Sequence, residues 1–312
     1  METIYMNNKP QKGSGCVATI GMFDGVHRGH QLLIGMVANK ARRMGLASTV
    51  ITFDRAPRQV LDPKFCPQLL TTLEEKTEAV RTLGVDKLVV LTFTQETASL
   101  TAQAFMQQIL RDQLDVKVLI AGYDNRFGHN RAEGFDDYVR YGEELGIEVL
   151  RGDVQLTGDG NYPLSSSIIR RLLTEEGRVD EMPQCLGRYY QLRGKVESGE
   201  HIGHQLGFPT ANLQPDNPFK LIPASGAYAV WATIGNEKER LPAMMNIGTR
   251  PTFDGRSRTL EVNILDFDGN LYGQAVTITF VARLREERRF DSPEALVAQL
   301  KEDQENVKRL LL

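Results

Sequence analysis

Cysteine is scarce in this chain, and its spacing pairs none of it. Cys16, Cys66 and Cys185 are scattered and odd in number, with no C-x-x-C arrangement. That excludes a disulfide framework and suits a reducing compartment. Histidine occurs five times and tryptophan once, at Trp231, which a strand-like setting assigns to a core. No stretch approaches the ~18 consecutive apolar residues that span a bilayer, and the opening METIYMNNKPQKGSG lacks a secretory apolar region. The expectation is a cytoplasmic protein with no membrane partner. Positive charge is not in excess either: 37 Lys and Arg against 40 Asp and Glu leave a net charge of −3, so no global basic field argues for nucleic acid. Charges are interspersed except in RLREERR (283–289), which reads as a solvated surface stretch.

Apolar material, by contrast, suffices for two cores. At 312 residues and 41% hydrophobic, the chain is about twice the ~150 residues of a typical domain. In its first half, short apolar runs (VATIG 17–21, STVITF 48–53, KLVVLTF 87–93, VKVLIAG 116–122) alternate with amphipathic stretches of helical period. RRMG and TLG close two of those stretches with glycine. This alternation predicts an α/β domain with a parallel sheet, its ligands lying beyond the strand C-termini. After two short helical stretches in 165–187 the helical period vanishes. YQLRGKVESG, GAYAVWATIG, RTLEVNILDF and QAVTITFVARL read as strands punctuated by turns, DFDGNLYG among them. They predict a small antiparallel barrel or sandwich, closed by a last helix with Ser292 as N-cap and Pro293 at its first position. The expected domains are 1–184 and 185–312.

The stretch IGMFDGVHRGHQLLIGM (20–36) places His27 and His30 across a glycine turn, where a helix follows a strand. A helix start offers unsatisfied N–H groups and partial positive charge, so it suits an anion. Imidazoles three apart on that turn face the same way and can donate to one phosphate. A metal pair and a polar structural loop are the rival readings; zinc would need further ligands and finds no nearby cysteine. HIGH at 201–204, the literal signature of class I aminoacyl-tRNA synthetases, is a decoy: Pro209 and glycines follow it where a helix would have to run.

GMFDGVHRGH is similar to the nucleotidyltransferase motif of the bacterial bifunctional riboflavin kinase/FMN adenylyltransferases. PQLLTTLEEK (67–76), GYDNRFG (122–128) and LSSSIIR (164–170) resemble later segments of that family's first domain. GHQLGFPTANL (203–213), GAYAV, NIGTRPTF and LEVNILDFDGNLYG resemble its flavokinase half, in the family's order. The resemblance implies a Rossmann-like nucleotidyltransferase domain followed by a flavokinase-like β-barrel. Riboflavin would be phosphorylated to FMN with ATP, and FMN adenylylated to FAD with release of pyrophosphate. Mg²⁺ would accompany ATP, no tightly bound redox cofactor would be required, and the chain would be a monomer or weak homo-oligomer.

By the same resemblance, His27 and His30 donate to ATP phosphates from the turn built on Gly21, Phe23, Asp24 and Gly25. Asp24 reads equally as a turn-stabilising residue. Ser165, Ser166 and Ser167 present hydroxyls and helix-start amides, with Arg170 as a cation; plain N-capping is the bland reading of the serines. Asn125 and Arg126 are candidate contacts to the flavin nucleotide. In the other half, Gly207, Phe208 and Pro209 shape a loop from which Thr210 and Asn212 offer hard oxygens to Mg²⁺. Glu261 is the candidate base, and Asn263, two residues on, shares its strand face. Arg250 and Arg285 are candidate nucleotide or flavin contacts. A turn-forming Thr/Asn pair and a solvent-facing strand Glu are the bland readings of these positions. Ala56, Asn125, Ser167, His204 and Asn263 depart from the family's frequent residues. Two other functions compete: another small-molecule adenylyltransferase with a non-catalytic β-domain, and a flavin-binding protein without catalysis.

Overall fold

The computed structural model describes residues 1–6, 15–62, 64–158, 160, 163–197, 208–252 and 255–312. They form two compact units, Met1–Ser166 and Ser167–Leu312. The helical segment after Ser166 therefore groups with the second unit, ahead of the 184/185 division expected from sequence.

The first unit is built on six strands, β1 Glu2–Met6, β2 Cys16–Ile20, β3 Ala47–Phe53, β4 Lys87–Leu91, β5 Val116–Ala121 and β6 Glu148–Arg151. They pair in parallel in the order β1-β4-β3-β2-β5-β6. Every residue of β2 is buried, because helices cover both faces of the sheet and alternate side chains enter different cores. Ala18 and Ile20 join Phe105, Met106 and Tyr138 on one face. Val17 joins Leu33, Ile34, Val37 and Ala41 of α1 (Arg28–Met44) on the other. The remaining helices of this unit are α2 Pro57–Leu61, α3 Leu73–Arg81, α4 Gln95–Ser99, α5 Ala102–Phe105 with its wider-turned continuation Met106–Gln113, and α6 Phe135–Leu145. α1 ends at Gly45, whose φ of 65° supplies the left-handed cap. α3 stops at Arg81, and the chain turns at Gly84 with φ 72°. β3 and β5 flank β2 on opposite sides, so the strand order reverses at β2 and opens a crevice at the C-terminal ends of β2 and β5.

α7, Ser166–Arg171, starts on the last residue of the first unit and runs into the second, which continues with α8 Met182–Leu186. β7 Gln191–Glu197, β8 Ala211–Pro215, β9 Gly226–Ile234, β10 Leu241–Thr252, β11 Gly255–Ile264 and β12 Ala275–Arg285 then close an antiparallel barrel in the order β10-β11-β8-β7-β12-β9. Strict alternation along β7, odd residues exposed and even ones buried, is the pattern of a strand with one face on a core. The sandwich alternative thus gives way to closure, which leaves no sheet edge. α9, Pro293–Leu311, is capped by Ser292 accepting from the Ala295 amide at 3.2 Å, with Pro293 in the first turn. Its Val307 packs with Phe208, Ala229, Met244 and Leu265 in one cluster.

Candidate active sites

Tight backbone shapes the turn after β2. Phe23 and Val26 adopt φ of 48° and 43°, and Gly25 between them 82°. Positive φ at two non-glycine residues is costly and has to be held by surrounding contacts. Asp24 supplies those contacts: its carboxylate accepts from the amides of Leu70 and Thr71 at 3.1 and 3.0 Å and from the Thr71 hydroxyl at 3.2 Å. Thr71 Oγ1 in turn accepts from the Gly25 amide at 2.9 Å. Asp24 therefore ties the turn to the segment ahead of α3, the loop-ordering half of its sequence reading. Its carbonyl also accepts from Ser166 Oγ at 2.9 Å, which brings the start of the serine helix to the same turn.

His27 is the N-cap of α1, its Nδ1 accepting from the His30 amide at 3.4 Å. In the neutral ring this leaves the proton on Nε2. The two imidazoles stack with centroids 3.6 Å apart, and Phe23 meets His30 edge-on at 5.1 Å. The pair thus faces one way, as its spacing requires. His30 Nδ1 is buried and finds no partner within the protein. Burial pushes His27 down to about 4 against the opposing pull of Asp24. His30 is also held well below the usual imidazole range by burial, then by the charges of His27 and Lys76. Both rings are neutral donors at pH 7 in the free protein. Among the described residues no group of three His, Cys, Asp or Glu side chains is placed to hold an ion.

A pH prediction follows from His27. Its folded value lies below the unfolded ~6.5, so the unfolded chain takes up the proton first as pH falls. Stability is unaffected above 6.5 and declines between 6.5 and 4, by about 3 kcal/mol from this residue alone. Imidazole NMR titration checks it, and a His27 transition near 6.5 would contradict it.

Beside the turn, a cavity of about 370 Å³ opens at the strand C-termini. Ile20 lines it from the end of β2 with Gly21 and Met22 just beyond, Phe53 from β3, Phe93 from the loop after β4, and Asn125 to Arg131 from the loop after β5. Four phenylalanines (Phe53, Phe93, Phe105, Phe127) and three basic residues (Arg126, His129, Arg131) contribute to its wall, and among the described residues no carboxylate does. Asn125 lines it too, and its Nδ2 donates to the Ile20 carbonyl, bracing the β5 loop against β2. Gly21 serves close packing, since a Cβ there would meet the Phe23 ring at 3.2 Å. Gly128, at φ 91°, admits no side chain, because a Cβ would lie 2.6 Å from the Ala102 amide nitrogen. Ser165 is half-buried and Ser167 exposed; α7 starts at Ser166 and carries Arg170 in its last turn.

In the barrel, a second cavity of about 280 Å³ is lined by Phe208, Thr210, Met244, Asn246, Glu261, Asn263, Arg285, Arg288 and Asp303, among others. Register explains the grouping. Glu261 of β11 lies opposite Asn212 of β8 and Asn246 of β10, so a carboxylate and two amides form one row across three strands. Asn263 shares the face of Glu261, is buried, and donates from Nδ2 to the Pro209 carbonyl at 2.7 Å, fixing the Phe208–Thr210 loop over β11. Gly207, the HIGH stretch at 201–204 and the side chain of Arg250 lie outside the described residues.

Two expectations need correction. The 283–289 stretch is only in part a solvated face. Arg283 donates to the Ser225 carbonyl at 2.5 Å, and Arg285 grips the buried carboxylate of Asp303 from Nε and Nη2 at 3.2 to 2.7 Å. β12 runs through both residues and carries them inward. Trp231 is half-buried on β9 rather than core. Sequence reading assigned no role to Asn246 or Asp303, nor to Lys76, which ends the PQLLTTLEEK segment. Asp303 left a legible trace: it falls at helical spacing with Leu296, Leu300 and Val307, and a carboxylate on an apolar face calls for a buried partner, here Arg285.

A parallel-sheet unit with a histidine pair on a glycine turn at its switch point, joined to a closed barrel whose cavity holds a carboxylate, defines a two-unit transferase of nucleotide and phosphate chemistry. Family models fix it further. The FAD synthetase model matches residues 9–167 and the riboflavin kinase model residues 186–311, and the chain belongs to the bifunctional family that joins the two. It is 37% identical to a bifunctional riboflavin kinase/FMN adenylyltransferase of Pseudomonas fluorescens, covering 96% of this chain and 94% of that one. A protein of the same name from Listeria monocytogenes is 35% identical, over 99% and 98%. A crystal structure titled as a macrolide-efflux protein from Streptococcus pneumoniae superposes with a TM-score of 0.89 at 32% identity, 99% of each chain being covered. Among the described residues of the present chain, no helix is long and apolar enough to cross a membrane.

Proposed function

We propose that this chain makes FAD from riboflavin in two ATP-dependent steps, the adenylyl transfer assigned to residues 1–184 and the phosphorylation to 185–312. The observation that carries the reading is the cavity of about 370 Å³ beside the histidine turn: aromatic walls, basic residues and, among the described residues, no carboxylate suit a planar, anionic flavin nucleotide. In the first unit a phosphate oxygen of FMN attacks the α-phosphorus of ATP and pyrophosphate leaves. That nucleophile is already ionised, so the unit needs positioning and charge stabilisation rather than a base. His27 and His30 donate to the phosphates, Ser165 to Ser167 add hydroxyls and helix-start amides, Arg170 adds a cation, and Asn125 and Arg126 meet the flavin nucleotide.

In the barrel the ribityl hydroxyl of riboflavin attacks the γ-phosphorus of ATP, its proton passes to Glu261, and ADP leaves. Thr210 and Asn212 are two residues apart, the first just ahead of β8 and the second on it, with Asn212 in register with Glu261. A hydroxyl and an amide oxygen fit Mg²⁺, which keeps most of its shell as water and substrate phosphate. When bound it would neutralise the phosphate charge. Arg285, held by Asp303, and Arg250 are the cations offered to the nucleotide or flavin. The reading includes a cytoplasmic protein that is a monomer or weak homo-oligomer.

Incubated with riboflavin, ATP and Mg²⁺, the chain yields FMN and then FAD, and EDTA stops both steps; chromatography of the flavins reads this. FMN accumulating without FAD overturns the first-unit assignment. Activity on a pantetheine phosphate instead points to the rival adenylyltransferase.

A further inference from the structure

Lys76 has no role in the chemistry above, yet it is among the least exposed charges of the first unit, at 5%. It sits on α3, in the PQLLTTLEEK segment. Its Nζ donates to Thr52 Oγ1 at 3.2 Å and to the Phe53 carbonyl at 3.5 Å. The Thr52 hydroxyl passes the chain on to the Met22 carbonyl at 3.2 Å. An ammonium carries three N–H donors, and among the described residues only two find acceptors. No carboxylate of the described residues touches it. Asp24 and Asp54 face it at longer range from the ends of β2 and β3. Their oxygens accept elsewhere, those of Asp24 from Leu70 and Thr71, those of Asp54 from Phe93 and Arg55.

A buried charge without a counter-ion destabilises a fold. A lysine kept merely for packing would be paired or replaced by Met, with no loss of contact. What distinguishes this position is its neighbourhood. Lys76 lies beneath the strained 21–26 turn, its charge reaches His30 from the start of α1, and Met22 and Phe53 at its acceptors both line the aromatic cavity. The missing counter-ion has an obvious source in an anionic substrate. We propose that Lys76 is a positioning residue of the adenylyl-transfer site, whose ammonium supplies fixed positive charge to the phosphate docked on the His27–His30 turn and, through Thr52, holds the Met22 carbonyl in place. The phosphate is that of FMN or the α-phosphate of ATP. The inference rests on the adenylyl-transfer reading of this unit.

Burial pushes Lys76 down to about 8, against Asp24 and Asp54. The fixed charge is therefore present below pH 8 and fades above it in the substrate-free protein. His27 and His30 titrate far lower and do not mask that limb. The cost to stability has the complementary sign: it is full below about 8 and disappears as pH rises to the unfolded value of 10.5.

The test is Lys76→Met in the full chain, which keeps the apolar stem. FMN adenylylation kcat/KM falls about 10-fold or more, somewhat below the usual loss for a donor in direct contact, and riboflavin phosphorylation by the same sample is unchanged. A rise in KM for FMN alone assigns the charge to the FMN phosphate, and a fall in kcat or a rise in KM for ATP assigns it to the α-phosphate. The parent's decline in kcat/KM between pH 7 and 9 is absent in the variant, while the variant's Tm at pH 7 is higher and the gap closes towards pH 10. An unchanged kcat/KM in the folded variant, or a parent profile flat from pH 7 to 9, overturns the proposal, the second needing no variant at all. A parent that makes no FAD at any pH refutes the reading of the unit itself, and the Tm comparison then still reports the buried charge.

Discussion

Glu261→Gln abolishes riboflavin phosphorylation while leaving conversion of supplied FMN to FAD intact. The substitution keeps size and hydrogen-bonding atoms and removes only the basic carboxylate, so the barrel has no reason to unfold. Loss of a positioned general base lowers a rate by about 10²–10⁴, and an unactivated alcohol has no second route to ionisation. The setting supports the choice of base. Glu261 stands in a central strand of a closed barrel, between Asn212 and Asn246, and lines the cavity with Thr210 and Asn263. A solvent-facing strand glutamate would have neither the cavity nor the flanking amides. Steady-state rates for the two half-reactions, measured on one sample, decide the matter. A folded variant that phosphorylates riboflavin at the parent rate removes Glu261 as the base.

Much of this architecture was legible in the residues, and the parts that were not share a cause. β2, β3, β4 and β5 announced themselves as continuous apolar runs because both faces of the sheet are covered, as the fully buried CVATI shows. β1 and β6 escaped notice. They are the two edge strands, ETIYM and the four-residue EVLR, and their half-exposed mixture of charge and bulk gives neither a run nor a clean alternation. The second unit was visible as strands, but pattern alone left barrel and sandwich open, because pairing of β9 with β10 and β12 is a matter of register that no local pattern encodes. Only the family resemblance implied the barrel. The sites divide the same way. His27, His30, Thr210 and Glu261 could be found because each sits in a short contiguous motif. Asn246 could not, since it comes beside Glu261 only across a strand pair, and Lys76, although it ends the PQLLTTLEEK segment, shows its burial and its bond to Thr52 only in the folded chain. Asp24 acts through shape: its carboxylate accepts from the Leu70 and Thr71 backbone, which agrees with the turn-ordering reading its motif offered.

The distinction between motif and contact bears most directly on the histidines. His30→Ala lowers FMN adenylylation by about 10²–10³, the scale for removing one donor aimed at developing charge, and leaves riboflavin phosphorylation nearly unchanged. The geometry makes His30 the more informative member of the pair. His27 also caps α1 and accepts from the His30 amide, so its loss would disturb the helix start as well as the chemistry. The His30 imidazole makes no such structural bond: its Nδ1 is buried without a partner, and its ring is held by stacking on His27 and Phe23. A buried nitrogen left unsatisfied costs stability, so the alanine variant should fold at least as readily as the parent, and circular dichroism with thermal melting will verify it. Its effect on rate is then chemical. Replacing His204, which ends the HIGH stretch, serves as the control and spares adenylylation. If FAD formation instead depends on His204 and survives the loss of His30, the phosphate-gripping turn has been assigned to the wrong histidines.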